Sequence, residues 1–155
     1  TLRTLEVRRG DQGLLLDFVV TLQLPKAVDD ALQRGVPIYF EAEASTYRPR
    51  WYWRDERVAR VRRAWRLSYQ PLTSSWRVSL GGLNQPYATL ADALAGISRL
   101  AQWEVAAPGQ LEAGEPYYVE FSYKLDTTRL PGPMQIGIGG QAEWSLQAEH
   151  TIRVP

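Results

Sequence analysis

Between Arg48 and Arg66 the sequence holds eight arginines and only two acids, Asp55 and Glu56, a net charge of +6. The remaining residues contribute ten basic and fifteen acidic side chains, so the near-neutral total of +1 conceals a strong internal asymmetry. Trp51, Tyr52, Trp53 and Trp65 are interleaved with these arginines. A guanidinium grips carboxylates or phosphates through a rigid fork of donors and stacks on aromatic planes. This is the chemistry of a recognition surface, and its candidate members are Arg48, Arg50, Trp51, Tyr52, Trp53, Arg54, Arg57, Arg62 and Arg66. The plain alternative is a solvated strand face whose arginine stems cover tryptophan. Arginine with aromatics can also hold single-stranded nucleic acid. A chain of overall charge +1 lacks the basic footprint of such proteins, so nucleic acid is not expected as a partner.

Other chemistries find little support. The 155 residues include no cysteine and one histidine, His150. Thiolate metal sites, cysteine nucleophiles and multi-histidine metal centres are therefore excluded, and any Ser-His-Asp arrangement would need His150 as its base. Glu41 with Glu43 and Asp55 with Glu56 are the close acid pairs. A glycosidase holds its two carboxyls roughly 5–9.5 Å apart across a substrate. Adjacent residues on a strand point apart, and two glutamates on one wet face are ordinary in a soluble sheet. Gly137-Ile138-Gly139-Gly140 resembles a phosphate loop, but no lysine or helix start follows it. The expectation is a non-enzyme without metal or cofactor.

The elements that must position these residues are mostly strands. The composition, 45 % hydrophobic and 23 % charged, is that of one globular domain. No apolar run approaches the roughly 20 residues of a membrane helix. Thr4–Arg8 leads through Gly10-Asp11-Gln12-Gly13 into a run in which Leu14, Leu16, Phe18, Val20 and Leu22 alternate with other residues, a hairpin pattern. Alternation recurs at Val36–Ser45, Arg57–Tyr69, Trp76–Leu80, Tyr117–Leu125 and Trp144–His150, with a shorter strand at Leu83–Tyr87. Two short helices are expected. One spans 25–34, with Pro25 at its start and Gly35 at its stop. The other spans 89–101, with Thr89 and Asp92 as a capping pair. Residues 103–115 read as loop. The fold expectation is mainly β: an antiparallel β-sandwich over residues 1–155, with an immunoglobulin-like architecture as one form of it. The shared phase predicts burial of Leu16, Phe18, Val20, Phe40, Trp65, Leu67, Trp76, Val119, Phe121 and Tyr123. Residues 48–56 are expected to form the bend between the two long central strands, with Trp51 and Trp53 inward and Tyr52 outward, or the reverse, and with any inward tryptophans structural beneath an arginine rim.

The run Arg48-Pro49-Arg50-Trp51-Tyr52-Trp53-Arg54-Asp55-Glu56 is distinctive. Together with Arg34–Phe40, Arg66-Leu67-Ser68-Tyr69 and Leu125–Pro131, it resembles the proteobacterial domain-of-unknown-function family 4390. The resemblance covers about Leu14 to Trp144. It implies an exported, periplasmic protein whose signal peptide has been removed, in keeping with a sequence that starts at Thr1 and has Met134 as its one methionine. It also implies genes neighbouring a nitrogen-regulation-type sensor kinase and a ribosomal RNA methyltransferase. It supplies no catalytic residues. Two functions remain open: a non-catalytic envelope interaction module, with a sensor kinase among its candidate partners, or a binder of a small ligand or envelope glycan through residues 48–66. A flat, exposed arginine–tryptophan face would favour a protein partner, and a concave tryptophan-lined cleft would favour a ligand.

Overall fold

Alternation of apolar and polar residues generates nine strands among the described residues, which the computed structural model arranges in two antiparallel sheets. The structure describes residues 2–50, 53–80, 83–126 and 147–155. The expected strand residue Trp144 and the glycine run 137–140 lie outside them. The smaller sheet has the order β1-β2-β7, built from Leu2–Gly10, Gly13–Val20 and Arg99–Ala106. The larger has the order β6-β5-β4-β3-β8-β9. Its strands are Leu83–Tyr87, Ser75–Leu80, Glu56–Gln70, Ile38–Arg48, Tyr118–Asp126 and Gln147–Arg153. The split of three strands and six differs from the four and three of an immunoglobulin constant domain.

The sheets meet through the residues whose phase pointed inward. All ten side chains predicted to be buried are buried. Phe18 of β2 lies 4.9 Å from Phe121 and 5.8 Å from Tyr123 of β8, ring centre to ring centre, and edge-on to Trp103 of β7. Trp65 and Phe40 close around Tyr123 at 5.9 and 6.3 Å. The Tyr123 hydroxyl donates to the Ile97 carbonyl at 2.7 Å, so the one polar atom of this ring is satisfied inside the core. Burial pushes its pKa far up.

Helix α1, Lys26–Gln33, buries Val28, Ala31 and Leu32 on one stripe. Gly35 follows at φ +87, a left-handed stop that a β-carbon would strain. Helix α2, Leu90–Ile97, starts where Thr89 accepts from the Asp92 amide, as the capping pair predicted. It ends four residues earlier than the expected 101. Leu90, Leu94, Ile97 and Leu100 carry a helical stripe, but the chain breaks away at Ser98, whose carbonyl accepts from Val20. The segment 99–106, most of it read as loop or helix, is strand β7. Its period-two pattern is interrupted at Gln102, which sits at φ +54 and donates its amide to the Asp17 carboxylate. The register with β2 shifts at two places here, and each bulge resets the alternation that sequence reading relies on.

Candidate functional site

The register of β4 decides where the arginines go. Phe40 pairs with Trp65 and Ala44 with Val61, which turns Ala59, Val61, Trp65 and Leu67 inward. Arg60, Arg62 and Arg66 therefore stand on the outer face, at two- and four-residue steps along the strand. Arg63 shares the inward phase and is half-buried. On β5, Arg77 pairs with Ser68 while Ser79 pairs with Arg66. Arg66 and Arg77 are thus diagonal cross-strand neighbours, with α-carbons roughly 7–8 Å apart.

The predicted site residues do not form one patch. Arg48, at the end of β3, bridges Glu56 at 2.9 Å and Glu112 at 3.2 Å. Arg50 donates from Nε to the Arg54 carbonyl at 2.9 Å and from its amide to Asp55 at 3.4 Å, and its guanidinium reaches Glu56 at 4.0 Å. These two arginines brace the bend. Trp51 and Tyr52 lie outside the described residues. Trp53 is 64 % exposed, so of the two phases the sequence leaves open for this bend, Trp53 takes the outward one. The bend turns its side chain away from the sheets, and the Arg54 guanidinium sits 6.0 Å from its ring centre. Arg57 lies opposite Tyr47 on the outer face. Arg62 bridges Glu43 at 3.3 Å and Glu41 at 3.7 Å. Arg66 is exposed, opposite Tyr39 and Ser79.

The outer face divides into two halves. On β3, β8 and β9 the outward residues include Glu41, Glu43, Glu120, Asp126 and Glu149, with Lys124 and Arg153. On β4, β5 and β6 they include Arg60, Arg62, Arg66 and Arg77 among serines, Ala64, Asn84 and Pro86, with no carboxylate. At the seam Arg60 forks onto Glu43 at 2.8 and 3.1 Å, and this bond holds the Glu43 carboxyl below its ordinary pKa. Beyond the seam, Arg66 and Arg77 have no ion pair among the described residues. Ser79 is tied instead to Asn84.

At the end nearest the bend, Tyr47 and Tyr118 stack at 5.3 Å with planes 16° apart. The Tyr118 hydroxyl donates to Asp55, and this bond pushes the phenol pKa up to about 12. Beside the stack lies an open hollow of about 380 Å³. Ser45, Ser122 and Thr151 contribute short side chains to it, and Arg57, Arg60, Glu120 and His150 stand around it. The single histidine thus stands at the rim of an edge strand. Glu41, Asp55 and Glu56 do not line this hollow.

Arg60 and Arg77 were not among the residues singled out from sequence. The alternation of Trp76, Arg77 and Val78 shows Arg77 facing out, but its closeness to Arg66 depends on cross-strand register. A family model described as a domain of unknown function (DUF4390) matches residues 1–153. No curated protein and no solved structure matches the chain.

Proposed function

This chain belongs to the DUF4390 family, and on that premise we propose that it is a non-catalytic interaction module of the cell envelope that binds a protein partner through the outer face of β4 and β5. The observation that carries this reading is the acid-free half of that face, where Arg66 and Arg77 stand exposed with no ion pair among the described residues. A sheet face is broad and shallow, which suits a protein surface. Arginine is over-represented among the residues that dominate interface energetics, and complementary charge speeds encounter. The ligand-binding alternative needs tryptophans around a cleft. Among the described tryptophans, Trp65, Trp76 and Trp103 are instead core residues, and Trp53 is exposed at a bend. A chain with one histidine and no cysteine is suited to binding more than to acid–base or nucleophilic catalysis. The absence of cysteine also suits an oxidising, extracytoplasmic compartment. The extracytoplasmic part of a sensor kinase is the first partner to test.

The test is chemical crosslinking and affinity capture of the tagged protein from intact envelopes. Wild type is compared with the double variant Arg66→Glu, Arg77→Glu. The proposal expects a crosslinked protein that the double variant loses at unchanged melting temperature. Equal capture by both forms contradicts it.

A further inference from the structure

The hollow on the outer face of β3, β8 and β9 has a charge pattern of its own, and all of its lining residues lie within the described segments. Its volume of about 380 Å³ falls in the range of small-molecule sites, about 300–1,000 Å³. The floor follows from side-chain size across the sheet. Ser45 sits between Arg60 of β4 and Glu120 of β8, and Ser122 sits between Glu43 of β3 and Glu149 of β9. Short hydroxyl side chains thus alternate with long charged ones, which stand up as walls. The walls differ in sign. Arg57 stands on the β4 side, opposite Tyr47, while Glu120 and Glu149 stand on the side of β8 and β9. Glu43 and Arg60, also at the hollow, are bonded to each other. Arg57 and Glu120 are both exposed, and neither has an ion pair among the described residues. Strand β3 separates them and their rungs are offset along it, which puts their α-carbons roughly 12 Å apart. Two opposite charges therefore face one hollow without meeting across it.

We propose that this hollow binds a small zwitterion with a primary amine and a carboxylate, as in a free amino acid or a dipeptide. The ligand carboxylate meets the Arg57 guanidinium, whose fork matches a carboxylate through two parallel bonds. The ligand amine, three donors with no acceptor, meets Glu120. Ser45, Ser122 and Thr151 offer hydroxyls to the groups between. Ligands of one charge fit less well. A monoanion faces Glu120 and Glu149, and a monocation faces Arg57. A neutral sugar covers Arg57 and Glu120 without giving either a charged partner, and a charged group left short of partners is costly. Selectivity thus comes from the repelled charge as much as from the paired one. The site is separate from Arg66 and Arg77, neither of which lines it.

Titration followed by amide NMR tests this, with alanine and dialanine as probes. Binding should give saturable shifts centred on Ser45, Ser122 and Thr151. Tighter binding of alanine supports a free amino acid as the ligand, and tighter binding of dialanine supports a peptide. Acetylating the amine or amidating the carboxylate of dialanine should weaken binding roughly tenfold or more, the effect of losing one charge-assisted hydrogen bond. Arg57→Gln should bind dialanine and its amide nearly alike, and Glu120→Gln should bind dialanine and its acetylated form nearly alike. Loss of structure would not produce that exchange of preferences. Both variants should melt at the wild-type temperature, and Arg3→Gln, on β1, should bind as wild type does. Absence of saturable shifts with both probes overturns the proposal. So does equal affinity of wild type for the free and blocked dipeptides, or tighter binding of the neutral disaccharide maltose. The sheet-face proposal is read separately, because its readout is a crosslinked protein that depends on Arg66 and Arg77.

Discussion

Trp65 and Arg66 are neighbours in the chain and occupy opposite faces of the same sheet. Trp65 packs at 5.9 Å from Tyr123 in a core that also holds Phe40 and Phe121. Arg66 stands in solvent beside Ser79. The inner face is closed and mostly apolar, and the Tyr123 hydroxyl is satisfied within it, although Thr46 Oγ1 is buried there without a partner among the described residues. The outer face is open, and its charges are matched along the β3–β4 seam but not beyond it. The contrast teaches that folding needs the inner set, whereas Arg66 and Arg77, beyond the seam, have no ion pair among the described residues to account for them. Removing inner side chains should therefore cost stability, and removing the unpaired arginines should cost binding.

The largest effect is expected inside. Phe121→Ala removes a ring that meets Phe18 at 4.9 Å, and should lower unfolding free energy by about 3–5 kcal/mol in denaturant titrations. A cost under about 1 kcal/mol would mean that the sheets are not packed against one another as described. Tyr123→Phe keeps the ring and leaves the Ile97 carbonyl without its donor. It should cost about 0.5–1.5 kcal/mol by the same measurement.

The seam and the bend end of the sheet give pH effects of opposite sign. Glu43 has a folded pKa below its ordinary 4.5, because Arg60 bonds its charged form. Its stabilising contribution is complete above that value and fades as pH falls through the lower, folded one. Glu43→Gln should flatten the acid arm of a melting-temperature profile, and an unchanged arm would remove the seam pair from the account. Tyr118 has its pKa raised from 10 to about 12, because its neutral hydroxyl donates to Asp55. Its contribution is complete below pH 10 and is lost as pH rises toward 12. Tyr118→Phe should remove the part of the alkaline loss that develops between those values.

The smallest stability effect is expected at the unpaired arginines. Arg66→Ala and Arg77→Ala should each stay within about 0.5 kcal/mol of wild type, the range of surface changes that break no packed or paired group. A cost above about 1.5 kcal/mol would make them structural and erase the distinction between the faces.

The sequence was most readable where one face is fully apolar. Leu14 to Val20 and Tyr117 to Leu125 alternate without a break, and their inward residues are the core residues found. It was least readable at β7. There a left-handed Gln102 and two register shifts scramble the period, while Leu100 completes a helical stripe begun by Leu90. The candidate site was legible as composition but not as geometry. Nothing in the spacing of Arg48, Arg50 and Glu56 shows that the first two are spent bracing a bend. Nor could linear order place Arg77 beside Arg66, since that follows from the pairing of Ser68 with Arg77. The exposure of Trp53 was hidden for a related reason: a strand rule orients side chains only while the chain remains extended, and here it turns.

The central claim is that the acid-free half of the outer face, β4 and β5, is the contact surface. Site-specific photocrosslinking in the native envelope tests it most directly. A photoreactive side chain replaces Arg66 or Arg77 on that half, or Ser122 or Lys124 on the other. The account predicts one shared protein adduct from positions 66 and 77, and little or none from 122 and 124. An adduct confined to 122 and 124, or none at 66 and 77, would contradict it.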